Sequence, residues 1–138
     1  MPFEDVALAE AKKGMSVNME TTIALRTYTS YSVLDELRRL MKETWNLKEI
    51  RMDYNTRCLP DEKDIESYPV TLIFEENGKE FAVKILSLSV GYRGSGPFDF
   101  SKVLEFFNIP YDKDEIFTKS SMDEDGFIRL RFYKNNVS

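Results

Sequence analysis

Two adjacent residues, Asn77 and Gly78, constrain this chain more than any other pair. Asn-Gly is the dipeptide that a two-residue type I′ turn requires, because both central positions need positive φ. The flanking segments, Pro69 to Glu76 and Lys79 to Ile85, are rich in β-branched and aromatic residues. If Glu76 faces Lys79, then Phe74 faces Phe81, Leu72 faces Val83 and Val70 faces Ile85. All three apolar pairs fall on one face, so turn and pattern specify the same register. The chain must therefore contain a hairpin with one buried side, which a single amphipathic layer has to cover.

Candidates for that layer and for further strands lie on both sides. Val33, Leu34, Leu37, Leu40, Met41 and Trp45 step by three and four, which predicts a helix of about four turns with one apolar stripe. Ser30 or Ser32 offers its N-cap, and Ser32 with Asp35 fits a capping box. Phe100, Val103, Leu104 and Phe107 repeat the helical spacing; Ser95 or Asp99 would cap that helix, and Asn108 with Pro110 would end it. A short helix is expected within 112–119, with Ile116 and Phe117 tucked in. Strands are expected at 21–28, at 48–54 with Ile50, Met52 and Tyr54 inward, and at 127–133 with Ile128, Leu130 and Phe132 inward. After Ile85 the inward parity changes to Leu86, Leu88 and Val90, which predicts a β-bulge near 85–86 or a change to two-sided burial. Residues 3–13 favour helix by propensity, as a loosely docked N-terminal element before Gly14. Residues 55–68 read as a polar loop and 134–138 as a flexible tail. The expected fold is one α+β domain over 1–138: an antiparallel-dominated sheet of about five strands with two amphipathic helices on one face.

Composition narrows function by exclusion. The chain has no histidine and one cysteine, Cys58. That removes imidazole general bases, Ser-His and Cys-His pairs, His-containing zinc sites and thiolate clusters. No catalytic residue, metal site or cofactor is assigned, and a non-enzymatic protein is expected. An enzyme built on carboxylate and tyrosine chemistry would need a paired set of acids, and no spacing singles one out. A lone cysteine fits a reducing compartment, and neither a secretory signal nor an apolar run of membrane-spanning length is read, so the expected location is cytoplasmic. The net charge of −5 argues against duplex nucleic acid as a partner.

The richest stretch for function is Gly91-Tyr-Arg-Gly-Ser-Gly-Pro97, a strand-to-helix turn holding three of the six glycines. Glycines let backbone N–H groups converge at a helix start, where an anion is favoured. Its spacing matches neither a Walker A loop nor the dinucleotide fingerprint. The candidate ligand-binding set is Gly91, Tyr92, Arg93, Gly94, Ser95 and Gly96, with Arg93 as a bidentate clamp and Tyr92 as a stacking ring. Arg129 and Arg131 are added from a set of strand arginines, Arg26 and Arg51 being the others, with Tyr28 and Tyr133 among them. These could gather on the uncovered sheet face, or pair across strands with Glu49, Asp53, Glu75 and Glu80. The glycines could equally serve only a tight turn.

Two functions follow. The first is a binding protein for a phosphate-bearing or nucleotide-like anionic small molecule held at Gly91–Pro97. The alternative is an acidic module of inhibitor or immunity type that neutralises a basic protein partner, motivated by the acidic runs at 61–66 and 112–125. A homodimer covering the edges of the hairpin and of the last strand is also possible on this reading.

Overall fold

A computed structural model describes residues 12–13, 19–26 and 33–134. The described residues form an α+β fold with a six-stranded mixed sheet, one strand being only two residues long. In chain order the elements are β1 (Lys12–Lys13), β2 (Met19–Leu25), α1 (Val33–Leu40), β3 (Asn46–Asn55), β4 (Val70–Glu76), β5 (Lys79–Ile85), α2 (Ser95–Phe106), α3 (Lys113–Phe117) and β6 (Phe127–Tyr133). Across the sheet the order is β1-β2-β5-β4-β3-β6.

The hairpin has the expected register throughout, Glu76 opposite Lys79 and Val70 opposite Ile85. Its turn carries φ of 54° at Asn77 and 81° at Gly78, as the dipeptide requires. Two features depart from the antiparallel expectation. First, β2 pairs parallel with β5, which makes the sheet mixed, though most pairs remain antiparallel. The cause is topological. β3 runs antiparallel to β4, and β4 to β5, so β2 and β3 point the same way with the hairpin inserted between them. Such same-direction strands need a crossover, and α1 provides it. Second, the hairpin occupies the middle of the sheet; β6, not the hairpin, lies at a sheet edge.

The helices all contribute to one core on one face. Val33 and Leu37 from α1, Phe100, Val103 and Leu104 from α2, and Ile116 from α3 pack with Leu25, Ile50, Met52, Leu72, Phe74, Val83, Ile85, Ile128 and Leu130. Helix α1 stops at Leu40 instead of running to Trp45. Residues 43–44 turn the chain instead, and Trp45 reaches the core from beyond the helix end, its ring 5.2 Å from Phe74 and 4.7 Å from Phe81. The apolar period thus continued past the helix because the turn also faces the core. No bulge occurs at 85–86. Strand β5 simply ends at Ile85; Leu86 packs on the opposite face with Ala24, Ile65 and Tyr68, while Leu88 and Val90 enter the helix-side core. The register shifts instead lie between Met19 and Thr22 and between Leu47 and Glu49.

The remaining expectations at the ends divide. Lys12 and Lys13 pair with Thr22 and Thr21 as strand rather than helix; the rest of the 3–13 helix, the caps at Ser30 and Ser32, Tyr28, and residues 135–138 lie outside the described residues. Lys134 is anchored, its Nζ donating to Phe107 O at 2.8 Å. No helix among the described residues is long and apolar enough to cross a membrane.

The 56–68 segment does more than connect. A 3₁₀ turn at Ile65–Ser67, capped by the Asp64 carboxylate, presses Ile65 and Tyr68 onto Ala24, so that this loop covers part of the sheet face without helices. Tyr68 is fixed there: its hydroxyl donates to Glu62 O at 2.6 Å and accepts from Arg26 Nε at 3.0 Å.

Candidate functional site

The chain leaves β5, crosses Leu88 and Val90 in the core, and turns at Gly91 into α2. Gly91 has φ of 98° and donates its N–H to Ile116 O at 2.8 Å, which ties the loop to α3. A Cβ at this residue would stand 2.7 Å from Ile128 Cδ1, a fully buried atom group. Gly96, buried in the first turn of α2, faces Ser89, where a Cβ would overlap the hydroxyl oxygen. Tyr92 closes the arrangement by folding back over the loop, its hydroxyl 2.8 Å from Ser89 Oγ. Gly91 and Gly96 therefore have a packing reason to be glycine. The cap differs from expectation: Gly94 is the N-cap, without any side-chain hydrogen bond, and Ser95 already lies inside the helix. Pro97 suits this first turn, since its missing N–H would lack a helical partner there.

What the loop displays outward is Arg93. It is exposed, and among the described residues no hydrogen bond or ion pair engages it. Arg93 and Gly94 form one end of a groove of about 610 Å³ between α2 and α3, lined also by Phe98, Ser101, Glu105, Tyr111, Lys113 and Phe117. Its volume lies in the range of small-ligand sites. Phe98 is 52% exposed, off the buried stripe of α2, with the Lys102 ammonium 4.9 Å from its ring centre. Helix α2 thus turns one large aromatic ring, partly covered by Lys102, toward the groove. Across the groove, Tyr111 donates to Glu105 at 2.5 Å and Lys102 approaches the same carboxylate at 3.3 Å. Those two hydrogen bonds hold the Glu105 carboxyl below its ordinary range, and Glu105 in turn raises Tyr111. The groove offers aromatic surface, a free guanidinium and the Lys113 ammonium, opposed by Asp114.

Arg129 and Arg131 do not join this site. They project from β6 away from the core and are engaged by carboxylates. Arg131 Nη2 lies 2.9 Å from Asp53, and Arg129 pairs with Asp123 while its guanidinium sits 4.3 Å from the Phe127 ring centre. Arg51 pairs with Glu49 at 3.1 Å, and Lys48 with Glu75 at 3.4 Å. Among the described residues, the expected cross-strand arginine pairing is met only by Arg131 with Asp53. Arg129 takes Asp123 of the preceding turn, Arg51 takes Glu49 of its own strand, and Arg26 donates to the Tyr68 hydroxyl. Asp123 is further bound by the N–H groups of Asp125 and Phe127 at 2.9 and 3.0 Å, which with Arg129 hold its carboxyl below the usual range.

The groove itself was hidden in the sequence reading, although one signal pointed to it. Phe98 falls outside the Phe100, Val103, Leu104, Phe107 stripe, so helical geometry already puts an apolar ring on the wet side of α2. Among the described residues no group of His, Cys, Asp or Glu could hold a metal ion. No family model, curated protein or solved structure matches the chain.

Proposed function

We propose that this chain is a non-enzymatic binding protein for a small ligand that joins an anionic group, phosphate-bearing or nucleotide-like, to a flat apolar ring. The observation that carries the reading is the exposed, unengaged Arg93 at the mouth of a 610 Å³ groove with aromatic walls. In this reading Arg93 holds the anion with a two-pronged guanidinium contact, and the ring lies against Phe98 and Phe117. Gly91, Tyr92, Ser95 and Gly96 act indirectly, by fixing the turn that presents Arg93. Arg129 and Arg131 take no part, because their carboxylate partners already neutralise them.

Isothermal titration of the wild type, Arg93→Ala and Arg129→Ala with a panel of nucleotides and cyclic nucleotides tests this. Binding by the wild type and Arg129→Ala that is lost in Arg93→Ala supports it; no binding by the wild type refutes it.

The acidic-module reading draws on the net charge and on the exposed Phe98 and Phe106 of α2. Against it, the side chains of Asp61, Asp64, Asp112 and Asp123 are turned back onto backbone N–H groups of their own turns. A partner captured at low salt and released at high salt would favour it over the small-ligand reading.

A further inference from the structure

A second cleft lies on the opposite side of the sheet, where the 56–68 loop fails to close completely over the strands. It has a volume of about 240 Å³ and is lined by Asp53, Tyr54, Cys58, Glu66, Tyr68 and Lys84, among others. Lys84 is the unusual member. It sits on the interior strand β5, flanked across the sheet by Ala24 on β2 and Thr71 on β4. Small neighbours leave its stem room along the sheet, and Tyr68 lines the same cleft. The side chain is half-buried and lines the cleft, yet no hydrogen bond or ion pair engages it among the described residues. By contrast Lys48, also half-buried, and the exposed Lys102 are both held by carboxylates. A half-buried amine held by no hydrogen bond or ion pair, at an opening of small-molecule size, is the setting in which lysines act as nucleophiles.

We infer that Lys84 is the site at which this protein captures a small carbonyl compound, an aldehyde or ketone, as a reversible imine. The nitrogen lone pair attacks the carbonyl carbon, the carbonyl π electrons move to oxygen, and that oxygen takes a proton. The resulting carbinolamine loses water as nitrogen forms the C=N bond and gives up its proton, so no oxidant or reductant is needed. Glu66 and Asp53 line the same cleft and are the carboxylates placed to exchange these protons, Asp53 while paired with Arg131. Burial lowers the Lys84 ammonium below its ordinary value; the nearby carboxylates of Glu66, Asp53 and Asp64 work against this and Arg51 works with it. The direction favours the free amine that the reaction needs. The site is separate from the α2–α3 groove and does not depend on ligand binding there.

The test is reductive trapping. The folded protein is treated at neutral pH with benzaldehyde and cyanoborohydride, which delivers hydride to the imine carbon and fixes the adduct. Peptide mass spectrometry then measures occupancy at every lysine. Lys84 is expected to be labelled at least about threefold above any exposed lysine, and urea should abolish that preference. Lys84→Arg should remove the preferred adduct, while Cys58→Ser should leave it. Equal labelling across exposed lysines, an unlabelled Lys84, or a preference that survives in urea would each overturn the inference. The wild-type ratio decides the matter even if the Lys84→Arg protein folds poorly.

Discussion

Replacing the loop glycines one at a time by alanine separates backbone from packing effects, and the structure predicts their order. At residue 91 the alanine must adopt φ near 98°, a region L-residues avoid at a cost of about 1–2 kcal/mol. Its Cβ would also stand 2.7 Å from Ile128 Cδ1. Ile128 is wholly buried, so its displacement is an overpacking event of about 1–3 kcal/mol. Together these give a loss of about 2–5 kcal/mol. At residue 96 the backbone is helical and unstrained, but a methyl group displaces the Ser89 hydroxyl and breaks its bond to Tyr92, about 1–2 kcal/mol. At residue 94 the backbone is extended, which any residue adopts, and the clash is with the half-exposed Tyr92 ring, which can swing out. Moving that ring aside also gives up its hydrogen bond to Ser89, so the change should cost about 1–2 kcal/mol. Urea unfolding followed by tryptophan fluorescence reads all three. With an m-value of roughly 1.5 kcal/mol/M, a 3 kcal/mol loss moves the midpoint by about 2 M. The expected order of destabilisation is Gly91→Ala first, with Gly96→Ala and Gly94→Ala smaller and similar to each other. A series in which Gly94→Ala is the most damaging, or in which all three lie within about 0.5 kcal/mol, would refute the packing account of this loop.

Further outcomes follow from other parts of the fold. Phe74 is fully buried and contacts the rings of Trp45, Phe81 and Phe107, so Phe74→Ala should cost about 3–5 kcal/mol, read as a fall in the urea midpoint. Tyr68→Phe removes a hydroxyl bonded to Glu62 O and Arg26; a loss of about 1–2 kcal/mol is expected, with faster amide exchange across residues 61–68. Asp123 has a depressed carboxyl in the folded state, so its contribution is complete above the ordinary carboxylate range and is lost as pH falls through and below it. Asp123→Asn should therefore lower the melting temperature at neutral pH and make little difference in strong acid; an equal deficit at both would count against the assignment.

What the sequence disclosed was local. Asn77-Gly78 and the alternation around it determine the hairpin because turn chemistry and side-chain parity act over a few residues. The strands around Ile50 and Ile128 were legible for the same reason. The parallel pairing of β2 with β5 was not, since it joins segments some sixty residues apart and leaves no periodic trace in either. The length of α1 was overestimated because Trp45 keeps the helical spacing while serving the core from a turn. Ile65 and Tyr68 were lost in a polar stretch, although two large apolar residues three apart were a sign of cover for a second face. In the candidate site, the chain position of Arg93 and the glycine turn were readable. The groove was not, because α3 meets α2 only in the folded molecule.

The central claim is that Arg93 and the aromatic walls of the α2–α3 groove form one ligand site. It is tested most directly by a titration of isotopically labelled protein with a nucleotide, followed through its backbone amide resonances. Saturable shifts confined to residues 93–118, abolished by Arg93→Ala and retained in Arg129→Ala, are the predicted result. Shifts centred on β6 around Arg129 and Arg131, or no saturable shift with any member of the nucleotide panel, would contradict it.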